Sequence, residues 1–297
     1  MKNLTLTFAL FLIGLTNIQA QQFQGMAVYE TKTSTSDIKS RFQGNKDITP
    51  EMQKMIEDRM KSVLEKTLVL TFDKTTSIYK EQEKLDAPGA QQDGFRRMAA
   101  MMGTGGTLYK DVKEKTYSSD KEFMGKEFLV KDSLPKLNWK MEGETRMIGG
   151  YNCFKATAVR PANKSDLRNM RMKSDKKEAA KDTKSETDKK TNFMDEFEMP
   201  SDVTITAWYT PEIPVNQGPE DYWGLPGLIL EVNDGKTTTL CSKIVMNPKE
   251  KSVIKAPTKG KVVSQKEYDE IVVKKMEELR QMNQTRGNNG MMQMRMP

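Results

Sequence analysis

From Gly25 to Thr33 the chain alternates, with Met26, Val28 and Glu30 on one side and Ala27, Tyr29 and Thr31 on the other, a two-residue period that predicts a strand. The period then lengthens. Met52, Met55, Ile56, Met60, Val63 and Leu64 recur at helical spacing behind Thr49, a suitable N-cap, and Pro50, a suitable first helical residue. A helix is expected over 50–66. Its apolar stripe calls for a surface to lie on. Alternation returns in "TLVLTF", where Leu68, Leu70 and Phe72 share a face, and a turn-like gap at 73–76 leads into "SIYKEQ". That reads as a strand pair. Residues 85–106, rich in Gly, Ala, Gln and Met, read as a long loop or a frayed short helix.

Residues 107–159 carry short runs of aromatic and β-branched residues: "TLYKDV", "KTYSS", "EFLVKD", "LNWKME" and "TRMIGGYNCFKATAV". Successive strand signals without intervening helices favour an antiparallel sheet. Gly149 and Gly150 mark a bend or bulge. Residues 161–200 are dense in both charge signs and poor in aliphatics, so they bury too little to offset their ordering entropy and are expected to be a disordered charged insertion. Strand signals resume at "VTITAWYT", and the proline-rich "PEIPVNQGPEDYW" must be irregular. After "GLPGLILEV" comes "NDGK", a hairpin signal. A two-residue Asp234-Gly235 turn would pair Val232 with Thr237, Leu230 with Thr239 and Leu228 with Cys241. Ser264 and Glu267 form a capping box ahead of Tyr268, Ile271, Val272, Met276 and Leu279, which predicts a second amphipathic helix over 265–282. The fold class expected is α+β: a strongly bent, half-barrel-like antiparallel sheet of about eight strands with one or two amphipathic helices packed on it.

The first twenty residues change the compartment. A lysine, an apolar stretch from Leu4 to Leu15 and a polar end closing on Ala20 read as a signal peptide over 1–20, cut before Gln21. No other apolar run is long enough to span a membrane. The remainder is expected as one domain over 21–283 and a disordered methionine-rich tail over 284–297. Export makes Cys153 and Cys241, the two cysteines, candidates for a disulfide, and closing so long a loop is worth about 4–5 kcal/mol in the chain-entropy model. Two buried free thiols are the alternative. The net charge of +7 would suggest nucleic acid for an intracellular chain; for an exported one no nucleic-acid partner is expected.

The chain contains no histidine, which excludes Ser-His-Asp and Cys-His catalysis and histidine zinc sites. Glu220 and Asp221 are neighbouring carboxylates, but among 41 acidic residues a neighbouring pair says little about a catalytic dyad. Cys153 beside Lys155 could hold an activated thiolate. "GTGG" at 103–106 lacks the lysine and context of a phosphate loop. Methionine is abundant, 22 residues, with a terminal cluster at Met291, Met292, Met294 and Met296 whose thioethers would suit Cu(I); the alternative is a polar end with no ligand. No other cofactor is expected.

In "GLPG", Pro226 and Gly227 suit the two central positions of a type II turn, flanked by Leu225 and Leu228. Ahead of it, Glu220, Asp221, Tyr222 and Trp223 form a candidate exposed binding rim. On this reading Gly227→Val harms folding, whereas changes at Glu220 or Tyr222 harm binding. "GGYNCFKATA", "AWYTPEIPVNQGP" and "GLPGLILEV", in that order, resemble the GLPGLI family of secreted bacterial proteins over roughly residues 146–232. The resemblance implies an envelope or secreted protein of a Gram-negative bacterium, in a family of no established biochemical role and with no catalytic residues to carry over. The function expected is an exported, periplasmic or secreted, non-enzymatic binding or structural module holding an apolar ligand or an envelope partner protein. The alternatives are a Cu(I)-binding protein using the tail methionines and, third, a thiol or carboxylate enzyme.

Overall fold

The computed structural model describes residues 23–34, 49–82, 105–162, 171–172, 197–198 and 201–293; the expected signal peptide and all but the last two residues of the expected 85–106 loop lie outside them. Fourteen strands and two helices follow in chain order: β1 (Gly25–Thr33), α1 (Pro50–Leu64), β2 (Thr67–Phe72), β3 (Thr76–Glu81), β4 (Thr107–Asp111), β5 (Thr116–Phe123), β6 (Lys126–Ser133), β7 (Lys140–Ile148), β8 (Tyr151–Pro161), β9 (Arg171–Met172), β10 (Phe197–Glu198), β11 (Asp202–Thr210), β12 (Leu228–Asn233), β13 (Thr237–Met246), β14 (Lys261–Val263) and α2 (Gln265–Gln293). Twelve strands make one sheet in the order β14-β6-β5-β4-β3-β2-β1-β13-β12-β11-β8-β7. All its pairings are antiparallel except β14 on β6. The fold is therefore mostly β rather than α+β, and its open sheet holds twelve strands rather than about eight. The runs of 107–159 form β4 to β8, with hairpins joining β4 to β5, β5 to β6 and β7 to β8, while β7 lies at the opposite end of the sheet from β6.

Turn chemistry sets most of the register. Gly149 and Gly150 hold φ of 57° and 88° between the paired Ile148 and Tyr151. They are a two-residue primed turn, in which both central residues need positive φ, and not a bend within one strand. The β12–β13 hairpin is longer than two residues: Asn233 pairs with Thr238 and Val232 with Thr239, and Asp234 N–H donates to Thr237 O at 3.2 Å. Asp234 also accepts from the amides of Lys236 and Thr237, which widens the loop. The register differs by two from the expected one, an even shift that keeps Cys241 on the same face as Leu228 and Leu230.

Three apolar clusters form the core. The first gathers Ala27, Tyr29, Leu70, Phe72 and Tyr79 from β1–β3 with Cys153, Trp208, Leu228, Leu230 and Cys241. The second lies on the other side of β8, β11 and β12, around Ala156, Ile205, Ala207, Tyr209, Ile229 and Val232. Because β12 is covered on both faces, "LILEV" reads as a nearly continuous apolar run. Leu230 is a bulge, since Trp208 pairs with Glu231 and Tyr209 with Ile229. The third cluster packs Tyr268 and Val272 of α2 and Val263 on Phe123, Phe128 and Val130.

The helices part company. α2 opens on the expected capping box, Glu267 Oε2 accepting from Ser264 N at 2.7 Å and Ser264 Oγ from Glu267 N at 3.2 Å. It continues to Gln293, beyond the expected end near 282 and into the expected tail, because propagation of a formed helix costs little per residue. α1 has its Thr49 cap, Met52 N–H to Oγ1 at 3.3 Å, but Met52 and Met55 are 44% and 45% exposed. Over 50–58 its stripe is not buried against the sheet as expected. Within the expected disordered insertion, β8 extends to Pro161 and β9 pairs with β10.

Candidate functional site

The loop 211–227 joins β11 to β12 and carries most of the sequence motifs. Its residues alternate between anchors and display. Ile213 and Val215 enter the first cluster, Tyr222 and Leu225 the second, and Gln217 is fully buried. Pro211, Glu212, Pro214, Asn216, Gly224 and Pro226 are exposed. Main-chain bonds fold the loop back on β12: Leu228 N–H donates to Ile213 O and Ile229 N–H to Gln217 O, each at 3.0 Å.

Side chains from distant strands staple it. Ser77 of β3 and Lys110 of β4 are cross-strand partners, so they project from one face side by side. Ser77 Oγ donates to Gln217 Oε1 at 2.8 Å. Lys110 Nζ donates to Gly218 O at 2.5 Å and Tyr222 O at 3.3 Å. Lys110 is fully buried, and burial lowers its pKa to about 7, a drop held back by Asp221 and Glu220. Tyr29 OH donates to Ile229 O at 2.6 Å. On the other side Arg160 Nη1 clamps both oxygens of Asp221 at 3.0 and 2.8 Å, while Nη2 reaches Tyr222 OH at 3.2 Å. Its guanidinium lies 4.8 Å from the Tyr222 ring centre. Two indoles complete the set: Trp139 Nε1 donates to Trp223 O at 2.9 Å and Trp223 Nε1 to Pro135 O at 2.8 Å.

Of the expected rim, Tyr222 is turned into the core, while Glu220, Asp221 and Trp223 are half-buried. Tyr222 is 4% exposed, with its phenol pKa raised by burial. Asp221 is committed to Arg160, and Trp223 is half-buried. A change at Tyr222 therefore harms folding, because the ring is core and its hydroxyl is bonded.

The GLPG segment is also not a type II turn. Gly227 N–H donates to Leu225 O at 2.8 Å, a three-residue turn about Pro226, and Gly227 is absent from the glycines with positive φ, whereas Gly224 has φ 91°. Glycine is required at 227 for proximity: a Cβ there would sit 2.1 Å from Thr210 O and 2.5 Å from Thr210 C. Leu225 and Leu228 are both fully buried, in different clusters.

Cys153 and Cys241 are free and buried. Both face the first cluster, but β13, β12, β11 and β8 are consecutive. Two strands, β12 and β11, stand between those of the cysteines, and the thiols are near enough for Cys153 to act electrostatically on Cys241 without a bond joining them. Each thiol instead points at a carbonyl, Cys153 Sγ to Tyr151 O at 3.6 Å and Cys241 Sγ to Lys243 O at 3.5 Å. Burial pushes both thiols up to about 11, opposite to the shift an activated thiolate needs. Lys155, expected as its activator, is bound to Glu142 and Glu144 at 3.0 and 2.8 Å. Met294 and Met296 lie outside the described residues; the backbone of Met291 and Met292 belongs to the last turn of α2.

Ser77, Lys110 and Arg160 carry the loop, yet sequence reasoning passed over them. A signal existed for Lys110: it has the same parity in β4 as Leu108, which packs on the first cluster, so the alternation already pointed the lysine inward.

By fold, the chain is a mostly β protein built on one large open sheet, with a stapled loop at the end of β11. Residues 139–231 match a family model described as "Protein of unknown function (Porph_ging)". The stretch holds β7 to β11, the whole loop and most of β12. The expected GLPGLI family is thus met only at this coarser level. No curated protein matches. Among solved structures, two of PNGF-II are similar: the C2 form at 12% identity and TM-score 0.45, covering 85% of this chain and 33% of that one, and the P21 form at 13%, TM-score 0.40, covering 82% and 31%. This chain spans about a third of their length. No helix among the described residues is long and apolar enough to cross a membrane.

Proposed function

We propose that the chain is an exported, non-enzymatic binding module of the cell envelope that presents the 211–227 loop to a partner protein. One observation carries the reading: exposed Pro211, Glu212, Pro214 and Asn216 alternate with buried anchors, so the displayed residues are held in one conformation before any partner arrives. Preorganisation removes much of the ordering entropy of binding, and the four prolines of the loop contribute to it. A partner protein is favoured over an apolar ligand because the aromatics that would line a cavity are engaged: Trp208 lies beneath the Arg146 guanidinium at 4.1 Å, and Trp139 is bonded to Trp223. The half-barrel reading fits as well, since Tyr29 of β1 reaches a carbonyl of β12, two strands away, and this requires the sheet to curl.

The test places a photo-crosslinking residue at Pro214 or Asn216, with a control at exposed Glu127 on β6, in cells that make the protein. A discrete protein adduct from the loop positions and none from the control is expected. No protein adduct at 214 or 216, or a lipid mass carried by the purified protein, would overturn the reading.

A further inference from the structure

The amine of Lys110 and the amide of Gln217 are buried at the same junction of β3, β4 and the loop. Both residues are 0% exposed. Lys110 is the cross-strand partner of Ser77, whose hydroxyl holds the Gln217 carbonyl. The amine itself is bonded to the carbonyl of the next residue, Gly218. The Gln217 Nε2 is buried without a hydrogen-bond partner among the described residues, which is unusual for a native amide and leaves its desolvation uncompensated. Lys110 touches carbonyl oxygens and no carboxylate. The carboxylates that act on it from a distance are Asp221, clamped by Arg160, and Glu220.

We propose that Lys110 and Gln217 form an intramolecular isopeptide bond that locks the loop to β4. The Lys110 Nζ lone pair attacks the Gln217 Cδ, whose oxygen is polarised by the Ser77 hydroxyl. An Nζ–Cδ bond forms and the Cδ–Nε2 bond breaks. The departing nitrogen takes the proton released by the amine and leaves as ammonia, so nothing is oxidised or reduced and no co-reactant is needed. Three features serve the step. Burial keeps much of the amine in the neutral, nucleophilic form near neutral pH. The exclusion of water spares the intermediate from hydrolysis. The unpaired Nε2 has no hydrogen bond to lose on departure. The product replaces an amine held only by hydrogen bonds with a covalent tie between β4 and the loop, and a surplus of buried donors becomes a single amide.

The experiment is peptide mapping by mass spectrometry of the full chain, purified folded and held at pH 8, beside the same chain held in denaturant and beside Lys110→Met and Gln217→Leu. The expected result is a branched peptide joining β4 to the loop, with loss of one ammonia. It should accumulate in the folded wild type and be absent from the denatured chain and from both variants. A chain cut before Gln21 would lose the same mass by cyclising its terminal glutamine, so the branched peptide and not the intact mass decides. Should a variant fail to fold, the folded and denatured wild-type arms still decide. A folded wild type yielding only linear peptides for both segments after prolonged incubation overturns the proposal.

Discussion

Gly227→Ala tests the packing of the loop most directly. The new Cβ would stand 2.1 Å from Thr210 O, 2.5 Å from Thr210 C and 2.8 Å from Pro211 N. An ordinary carbon contact needs about 3.5 Å, so backbone must separate by more than an ångström. The obstacle cannot swing aside, because Thr210 is fully buried and pairs with Leu228 at the end of β11. Moving it draws Leu225 from one apolar cluster and Leu228 from the other. Overpacking costs about 1–3 kcal/mol, and partial loss of two buried leucines at about 1.5–3 kcal/mol each brings the expected loss to roughly 3–5 kcal/mol. Gly224→Ala is the control. There φ is 91° and the nearest atom to a new Cβ is Trp139 Nε1 at 4.0 Å, so only backbone strain of about 1–2 kcal/mol applies. Urea unfolding followed by tryptophan fluorescence gives both differences from midpoint shifts at constant slope. A Gly227→Ala protein no less stable than Gly224→Ala would refute the close-approach account and restore the positive-φ turn.

Lys110 makes stability depend on pH in an unusual direction. In freshly refolded chain, before any cross-link forms, burial lowers the folded amine to about 7 while the unfolded one keeps the ordinary 10.5, so above pH 7 the unfolded chain binds the extra proton and stability is expected to rise with pH. From pH 7 to 9 the gain is about 2–3 kcal/mol; it is flat below pH 7, and above about pH 9 the two buried thiols, raised from 9.0 to about 11, act in the opposite sense. Urea midpoints at pH 7, 8 and 9 should climb for wild type and stay level for Lys110→Met, and a level wild type would remove the buried amine from the account. For the cysteines, titration with a chromogenic disulfide reagent without reductant should count two thiols in denaturant and almost none in the native protein. A count of zero in denaturant would mean that the chain carries the disulfide after all.

Much of the strand pattern was legible because alternation and turn chemistry are local. β1, β2, β3, β11 and the two helix caps follow directly from side-chain period and from Thr49, Ser264 and Glu267. Where the reading missed, a distant partner decided. Gly227 looked like a turn glycine because its neighbour is proline, but the atom that forbids a side chain there belongs to Thr210, seventeen positions away in sequence. Tyr222 and Asp221 looked exposed because their segment is polar and irregular. Tyr222 is buried and Asp221 half-buried because Arg160, across the charged insertion, supplies the guanidinium that pairs with both. The cysteines shared a face as parity required, but strand order, which no local signal encodes, put two strands between theirs.

The loop therefore joins two kinds of residue that serve opposite ends. Beside its apolar anchors, several of its inward members are polar or glycine where an aliphatic residue would pack more simply: buried Gln217 and Gly218 against Ser77 and Lys110, and half-buried Asp221 against Arg160. A hydrophobic plug would hold β11 to β12 equally well, since buried polar networks stabilise no more than well-packed apolar groups of similar size. What the polar set adds is direction. Each hydrogen bond fixes one carbonyl or one side chain, and together Lys110, Ser77, Arg160 and Trp139 fix the loop at four points drawn from β3, β4, β8 and the segment before β7. Such over-determination is expected where conformation matters more than stability, and the residues that benefit are the exposed ones between the anchors, Pro214 and Asn216 foremost.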